Sequence, residues 1–133
     1  MIVGVVSLYL MMSHPLTAEV KRAMDPVTTF ADKHIQWLGH ATFKFTGSSV
    51  TVYSDPFNLT GRSGGATADI ILVTHPHYDH LSPEDIARIR STGTVVIAPD
   101  DPECRAKLTG DVRFMKPGDT TTVRGVLVKA VPA

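Results

Sequence analysis

Ile70-Ile71-Leu72-Val73-Thr74-His75-Pro76-His77-Tyr78-Asp79-His80 is an apolar run that passes directly into a cluster of metal-type ligands. Three of the six histidines of this 133-residue chain, with one aspartate, fall at positions 75–80. Imidazole nitrogen and carboxylate oxygen are the donors that zinc and similar divalent ions take. In extended backbone, side chains at i and i+2 point the same way. His75 and His77 can therefore grip one ion together. Asp79 and His80 follow at the turn, within reach of a second ion. A polar loop that happens to hold histidines is the plainer alternative. Four ligand-type side chains at this spacing, straight after a buried-type strand, favour the metal.

On the N-terminal side of this stretch the pattern is one of short strands. Ile35 to Leu38 and Thr42 to Phe45 are separated by Gly39, which suits a bulge or tight bend. Val50-Thr51-Val52-Tyr53 is a β-branched strand closed by Asp55-Pro56. Residues 58–67 form a glycine-rich loop, expected to be a flexible rim beside the metal site. No Gly-Lys-Ser/Thr follows it, so it is not a Walker-type phosphate loop. On the C-terminal side a helix is punctuated clearly. Ser82 can cap it, Pro83 suits the first helical position, and Glu84 and Asp85 favour the positive end of its dipole. Ile86 and Ile89 share a face, and Gly93 is expected to end the helix. Thr94 to Ala98 reads as a buried strand and residues 102–108 as a short helix. Asp111 to Met115, Thr120 to Val123 and Val126 to Val131 read as further strands. The pattern by itself predicts a mixed α/β domain.

His-x-His-x-Asp-His resembles the metal motif of the metallo-β-lactamase superfamily. Further stretches are similar to its metal-dependent hydrolases related to ascorbate-6-phosphate lactonase. These are Ile35-Gln36-Trp37-Leu38-Gly39-His40-Ala41-Thr42-Phe43, Asp55-Pro56-Phe57, the lead from Ala68 to His75, Lys116-Pro117-Gly118-Asp119 and Val128 to Ala133. The resemblance covers about residues 34–133. The metal motif is specific to the superfamily, whereas Trp-Leu-Gly-His only suggests the branch. The fold it implies is half of an αββα sandwich, a mixed β-sheet with flanking helices. It assigns His75 and His77 to a first ion and Asp79 and His80 to a second, with zinc expected and manganese or iron possible. Asp79 would also orient or deprotonate the attacking water. Asp55 would fix one histidine tautomer from beneath, or simply end a strand in an Asp-Pro turn. His40, on the Gly-His corner, could reach the cleft but reads better as a turn residue.

A complete domain of that superfamily also supplies a third histidine, a bridging aspartate and a late histidine from its second half. No histidine follows His80 here. The chain is therefore expected to be an N-terminal portion of such a domain, a weak metal binder with little activity alone. The full protein would be a hydrolase using metal-activated water on a lactone or phosphoester, with a lipid phosphodiester as the alternative substrate. A non-catalytic metal-binding fragment and an interaction module that docks or self-associates through its exposed half-core are the competing readings.

Composition bounds the rest. Hydrophobic content of 43% and charged content of 20% are ordinary for a globular domain. Thirteen basic and thirteen acidic residues cancel, so no global field draws nucleic acid or an anionic membrane. Cys104 is the lone cysteine, which excludes an internal disulfide and reads as a small buried hydrophobe. Ile2 to Met12 is apolar apart from Ser7 and Tyr9. It is too short to span a membrane and suits the core of an export signal or anchor, or else a buried strand. Domain organisation is thus expected as residues 1–33, an apolar segment and linker, followed by residues 34–133.

Overall fold

A computed structural model describes residues 26–62 and 66–132. The apolar stretch from Ile2 to Met12 lies outside the described residues. The chain separates into two compact units, residues 1–33 and 34–133. Helix α1, Pro26–His34, begins in the first of these. No described helix is long and apolar enough to cross a membrane.

The second unit is built on one six-stranded sheet. Strands β1 (Ile35–Gly39), β2 (Thr42–Thr46) and β3 (Thr51–Ser54) form an antiparallel meander. Strands β4 (Ile70–Leu72), β5 (Val95–Pro99) and β6 (Val112–Met115) then add in parallel, in the order β1-β2-β3-β4-β5-β6. Helix α2 (Pro83–Ile89) connects β4 to β5, and α3 (Pro102–Lys107) connects β5 to β6. A separate hairpin, β7 (Thr120–Val123) with β8 (Val126–Lys129), follows. It turns at Arg124-Gly125, where φ is +48° and +80° at successive residues, as a tight two-residue hairpin turn requires.

Register explains the two cores. Lys44, Tyr53, Ile71, Val96 and Val112 face one another across the strands. On that side Tyr53, Ile71 and Val96 pack with Ile86 and Ile89 of α2 and Cys104 of α3. The alternate row, Phe45, Val52, Ile70 and Val95, points to the other side. There Ile70, Val95, Ile97 and Met115 pack with Val123, Val126 and Val128 of the hairpin. The hairpin thus covers part of the second face. The meander end is left to solvent, with Ile35 42%, Trp37 66% and Phe43 37% exposed.

Two sequence expectations need adjustment. Helix α2 ends at its C-cap Arg90, before Gly93. Gly93 (φ +91°) instead belongs to the turn closed by the Thr94 amide on the Ser91 carbonyl. The loop after β3 is not free where it is described. Asp85 accepts from the Asn58 and Leu59 amides at 2.9 and 3.0 Å, and Leu59 is buried. Asp85 does more than complement a helix dipole: its carboxylate ties this loop to α2.

Candidate metal centre

The motif residues follow the carboxyl end of β4, next to the end of β3. Crevices outside the carboxyl ends of parallel strands are where open α/β sheets bind ligands. Thr74, at the start of the motif, is anchored sideways. Its backbone N–H and its hydroxyl donate to the two oxygens of Asp55, each at 2.8 Å. Asp55 sits just past β3 with φ +41° and is 3% exposed. Buried Thr42 fixes this corner. Its hydroxyl donates to the Asp55 carbonyl at 2.6 Å and accepts from the Phe57 amide at 3.1 Å.

Asp55 has one further partner, His80 Nδ1 at 2.9 Å from Oδ2. An ionised carboxylate only accepts, so Nδ1 carries the proton and the lone pair of His80 resides on Nε2. Similar logic holds for His75. The Thr74 hydroxyl spends its proton on Asp55, so at 3.0 Å it accepts from His75 Nδ1, leaving Nε2 with the lone pair. One buried carboxylate thereby sets two imidazoles, His80 directly and His75 through Thr74.

His75 Nε2 lies 3.1 Å from His77 Nδ1, and the His75 ring lies against the His80 ring, centroids 3.9 Å apart. The second group comes from two places, the β1–β2 turn and the end of the motif. His40, on the β1–β2 turn, has φ +48° and follows Gly39 at φ +111°. Its Nε2 reaches Asp79 Oδ2 at 3.0 Å, and His80 Nε2 is 3.9 Å from the same oxygen. The ligand atoms of His40, Asp79 and His80 all lie within 4.8 Å of one another. Burial acts to raise the Asp79 pKa. A backbone hydrogen bond in its own residue and the His80 and His40 imidazoles outweigh this, holding the carboxyl below the ordinary carboxylate range. Asp79 is thus an anion at neutral pH.

The donors present fit a divalent ion. Two nitrogens on one tetrahedral zinc, each about 2.0–2.1 Å from it, stand roughly 3.3 Å apart. The His75–His77 separation of 3.1 Å is close to that. His40, Asp79 and His80 supply two nitrogens and an oxygen, a set that both zinc and iron accept. The structure therefore brings His75 and His77 together, as it does Asp79 and His80, and adds His40 to the second pair. His40 lies far from the motif in sequence, and only the positive-φ Gly39-His40 corner hinted at a special turn. Cys104 stands apart on α3, buried and hydrogen-bonded into the helix, with its thiol pKa raised by burial and then by Asp101 and Glu103.

Known proteins resemble this chain in sequence and in fold. Residues 34–133 match the family described as "Beta-lactamase superfamily domain". A UPF0173 metal-dependent hydrolase of Methanopyrus kandleri is 35% identical over 107 residues, covering 74% of this chain and 46% of the relative. One from Thermoplasma volcanium is 36% identical over 109 residues, covering 77% of this chain and 48% of the relative. A crystal structure of a metal-dependent hydrolase from Parabacteroides distasonis superposes with a TM-score of 0.62 at 31% identity, covering 74% of this chain and 44% of that one. CmlA, a diiron β-hydroxylase from Streptomyces venezuelae, superposes with a TM-score of 0.59 at 25% identity, covering 74% of this chain and 23% of that one. The chain spans about half the length of the curated relatives it matches. With the mixed six-stranded sheet, its flanking helices and the histidine–aspartate cluster at the strand ends, the match over residues 34–133 shows that this chain belongs to the β-lactamase superfamily of metal-dependent proteins.

Proposed function

We propose that residues 34–133 are the metal-holding portion of a hydrolase that acts on a lactone or phosphoester. His75 and His77 hold one divalent ion, and Asp79 and His80, joined by His40, hold a second. The observation that carries this reading is the Asp55 lock. A buried carboxylate that fixes the tautomers of His80 and, through Thr74, of His75 leaves both Nε2 lone pairs facing the cluster. Such support is what metal-ligating histidines require. When bound, a divalent ion supplies Lewis-acid polarisation and a nucleophile at neutral pH. Asp79, ionised and partly exposed, accepts the proton released as water attacks. His40 Nε2 lies 3.0 Å from Asp79 Oδ2, so the two side chains hold each other at the second position. The relatives named as metal-dependent hydrolases support the reaction class. CmlA supports iron as an alternative to zinc, since it is a diiron enzyme on a similar fold.

The test is metal analysis after gentle purification, comparing the parent with His75→Ala/His77→Ala and with His40→Ala. The parent is expected to retain zinc, iron or manganese. The double variant should lose one ion's worth, and His40→Ala should weaken the second site at least about tenfold. Equal metal in all three proteins would overturn the assignment. Chelator and Asp79→Ala are each expected to abolish whatever hydrolysis of a chromogenic phosphodiester or a simple lactone the protein supports.

A further inference from the structure

Tyr78 lies between the candidate ligands His77 and Asp79, yet its side chain turns outward. At 75% it is the most exposed large apolar side chain among the described residues. Its ring is nevertheless held. Phe57 meets it edge-on with centroids 5.9 Å apart at 78°. Phe57 in turn meets His40 edge-on at 6.0 Å and 66°, and His40 meets His80 at 5.1 Å and 65°. A continuous series of rings thus runs from solvent to the candidate metal ligands. Phe57 is fixed at its base by Thr42, so this wall starts from the same corner as Asp55.

A ring left so open contributes little to folding. Single exposed aromatics are ordinary on protein surfaces. This one differs in its place, between two candidate ligands and braced by a second aromatic. At 75% exposure, most of the ring beyond its Phe57 contact is open to solvent. Aromatic rings pair through offset stacking and edge contacts, and a ring already braced loses little freedom when a ligand covers it.

We propose that Tyr78 and Phe57 form a wall that receives a flat aromatic group of the substrate, carried next to the reacting atom. This rests on the metal-centre reading above. In that arrangement the anionic head of the substrate meets the ions, while its ring lies on the open face of Tyr78. The wall positions and selects; it takes no part in proton or bond transfer.

The experiment is calorimetric titration of the zinc-loaded full chain with phenylphosphonate, cyclohexylphosphonate and methylphosphonate. The phosphonate head is common to all three, so differences report the wall. Phenylphosphonate is expected to bind about tenfold tighter than methylphosphonate, with cyclohexylphosphonate between them. Tyr78→Ala should erase the phenyl preference while leaving methylphosphonate unchanged, Tyr78→Phe should keep it, and Tyr78→Leu should lose most of it. Because Tyr78 is so exposed, these variants are expected to fold like the parent, which thermal melting checks. Equal affinity for phenyl and methyl, equal affinity for phenyl and cyclohexyl, or a preference that survives Tyr78→Ala would overturn the wall and leave the metal centre standing. No binding of any phosphonate would overturn the centre, and the wall with it.

Discussion

Asp55 accepts three hydrogen bonds on two oxygens, from the Thr74 amide, the Thr74 hydroxyl and His80 Nδ1. Asparagine would keep the backbone, since it tolerates the left-handed region in which Asp55 sits (φ +41°). It would offer one oxygen in place of two and turn an N–H₂ towards a donor. Asp55→Asn is therefore expected to cost about 1–3 kcal/mol in denaturant unfolding and to weaken zinc binding roughly 10–100-fold in competition with a chromogenic chelator. Unchanged zinc affinity would mean that Asp55 closes a turn and nothing more. Cys104 makes the opposite case, of a reactive group kept silent. Burial and the neighbouring Asp101 and Glu103 raise its pKa, so the thiolate nucleophile is scarce at neutral pH. Its labelling by a thiol reagent should be slow in the folded protein and rise to the rate of a free thiol in denaturant. Rapid labelling under native conditions would contradict the buried placement.

At the scale of elements, α2 does two jobs at its N-terminus. Ser82 caps it by accepting from the Asp85 amide at 3.2 Å, and its hydroxyl donates to Asp85 Oδ2 at 2.8 Å. Asp85 then reaches out to the Asn58 and Leu59 amides and so holds the loop that carries Phe57 away from β3. Asp85→Ala would leave both amides without a partner in a partly buried setting. The expected cost is about 1–3 kcal/mol, with the Asn58 and Leu59 amides losing hydrogen-exchange protection before the rest of the sheet. If those amides stay as protected as in the parent, another group holds the loop. Asp85→Asn, which retains one acceptor oxygen, should fall between the two.

At the scale of the whole molecule, the hairpin of β7 and β8 packs on the second sheet face over β4 to β6, with Val52 of β3 at the margin of that core. Ile35, Trp37 and Phe43 continue that face into solvent on the meander. The chain carries no net charge to oppose association, and β1 lies at the edge of the six-stranded sheet, where pairing with another chain is a general hazard. Size-exclusion chromatography with light scattering is expected to show self-association that grows with concentration. Ile35→Lys, which puts a charge on the edge strand away from the metal centre, should shift the protein to smaller species. A parent that runs as a monomer at all concentrations would show that water covers this face without consequence.

Much of the architecture was legible because it is local. The apolar run from Ile70, the β-branched strand at residues 50–53 and the Ser82-Pro83 start of α2 each encode their element through neighbours a few residues away. So does the i, i+2 spacing that sets His75 beside His77. The approach of His40 to Asp79 was not legible, because it requires β1, β2 and β3 to bring a turn from early in the unit over the end of β4. The reach of Asp85 back to Asn58 and Leu59 was hidden for the same reason. Sequence determined the ligand types and the strands that carry them. Tertiary structure alone decided that His80 is the histidine Asp55 orients, that His40 joins Asp79 and which sheet face stays bare, because those depend on register between strands far apart in the chain.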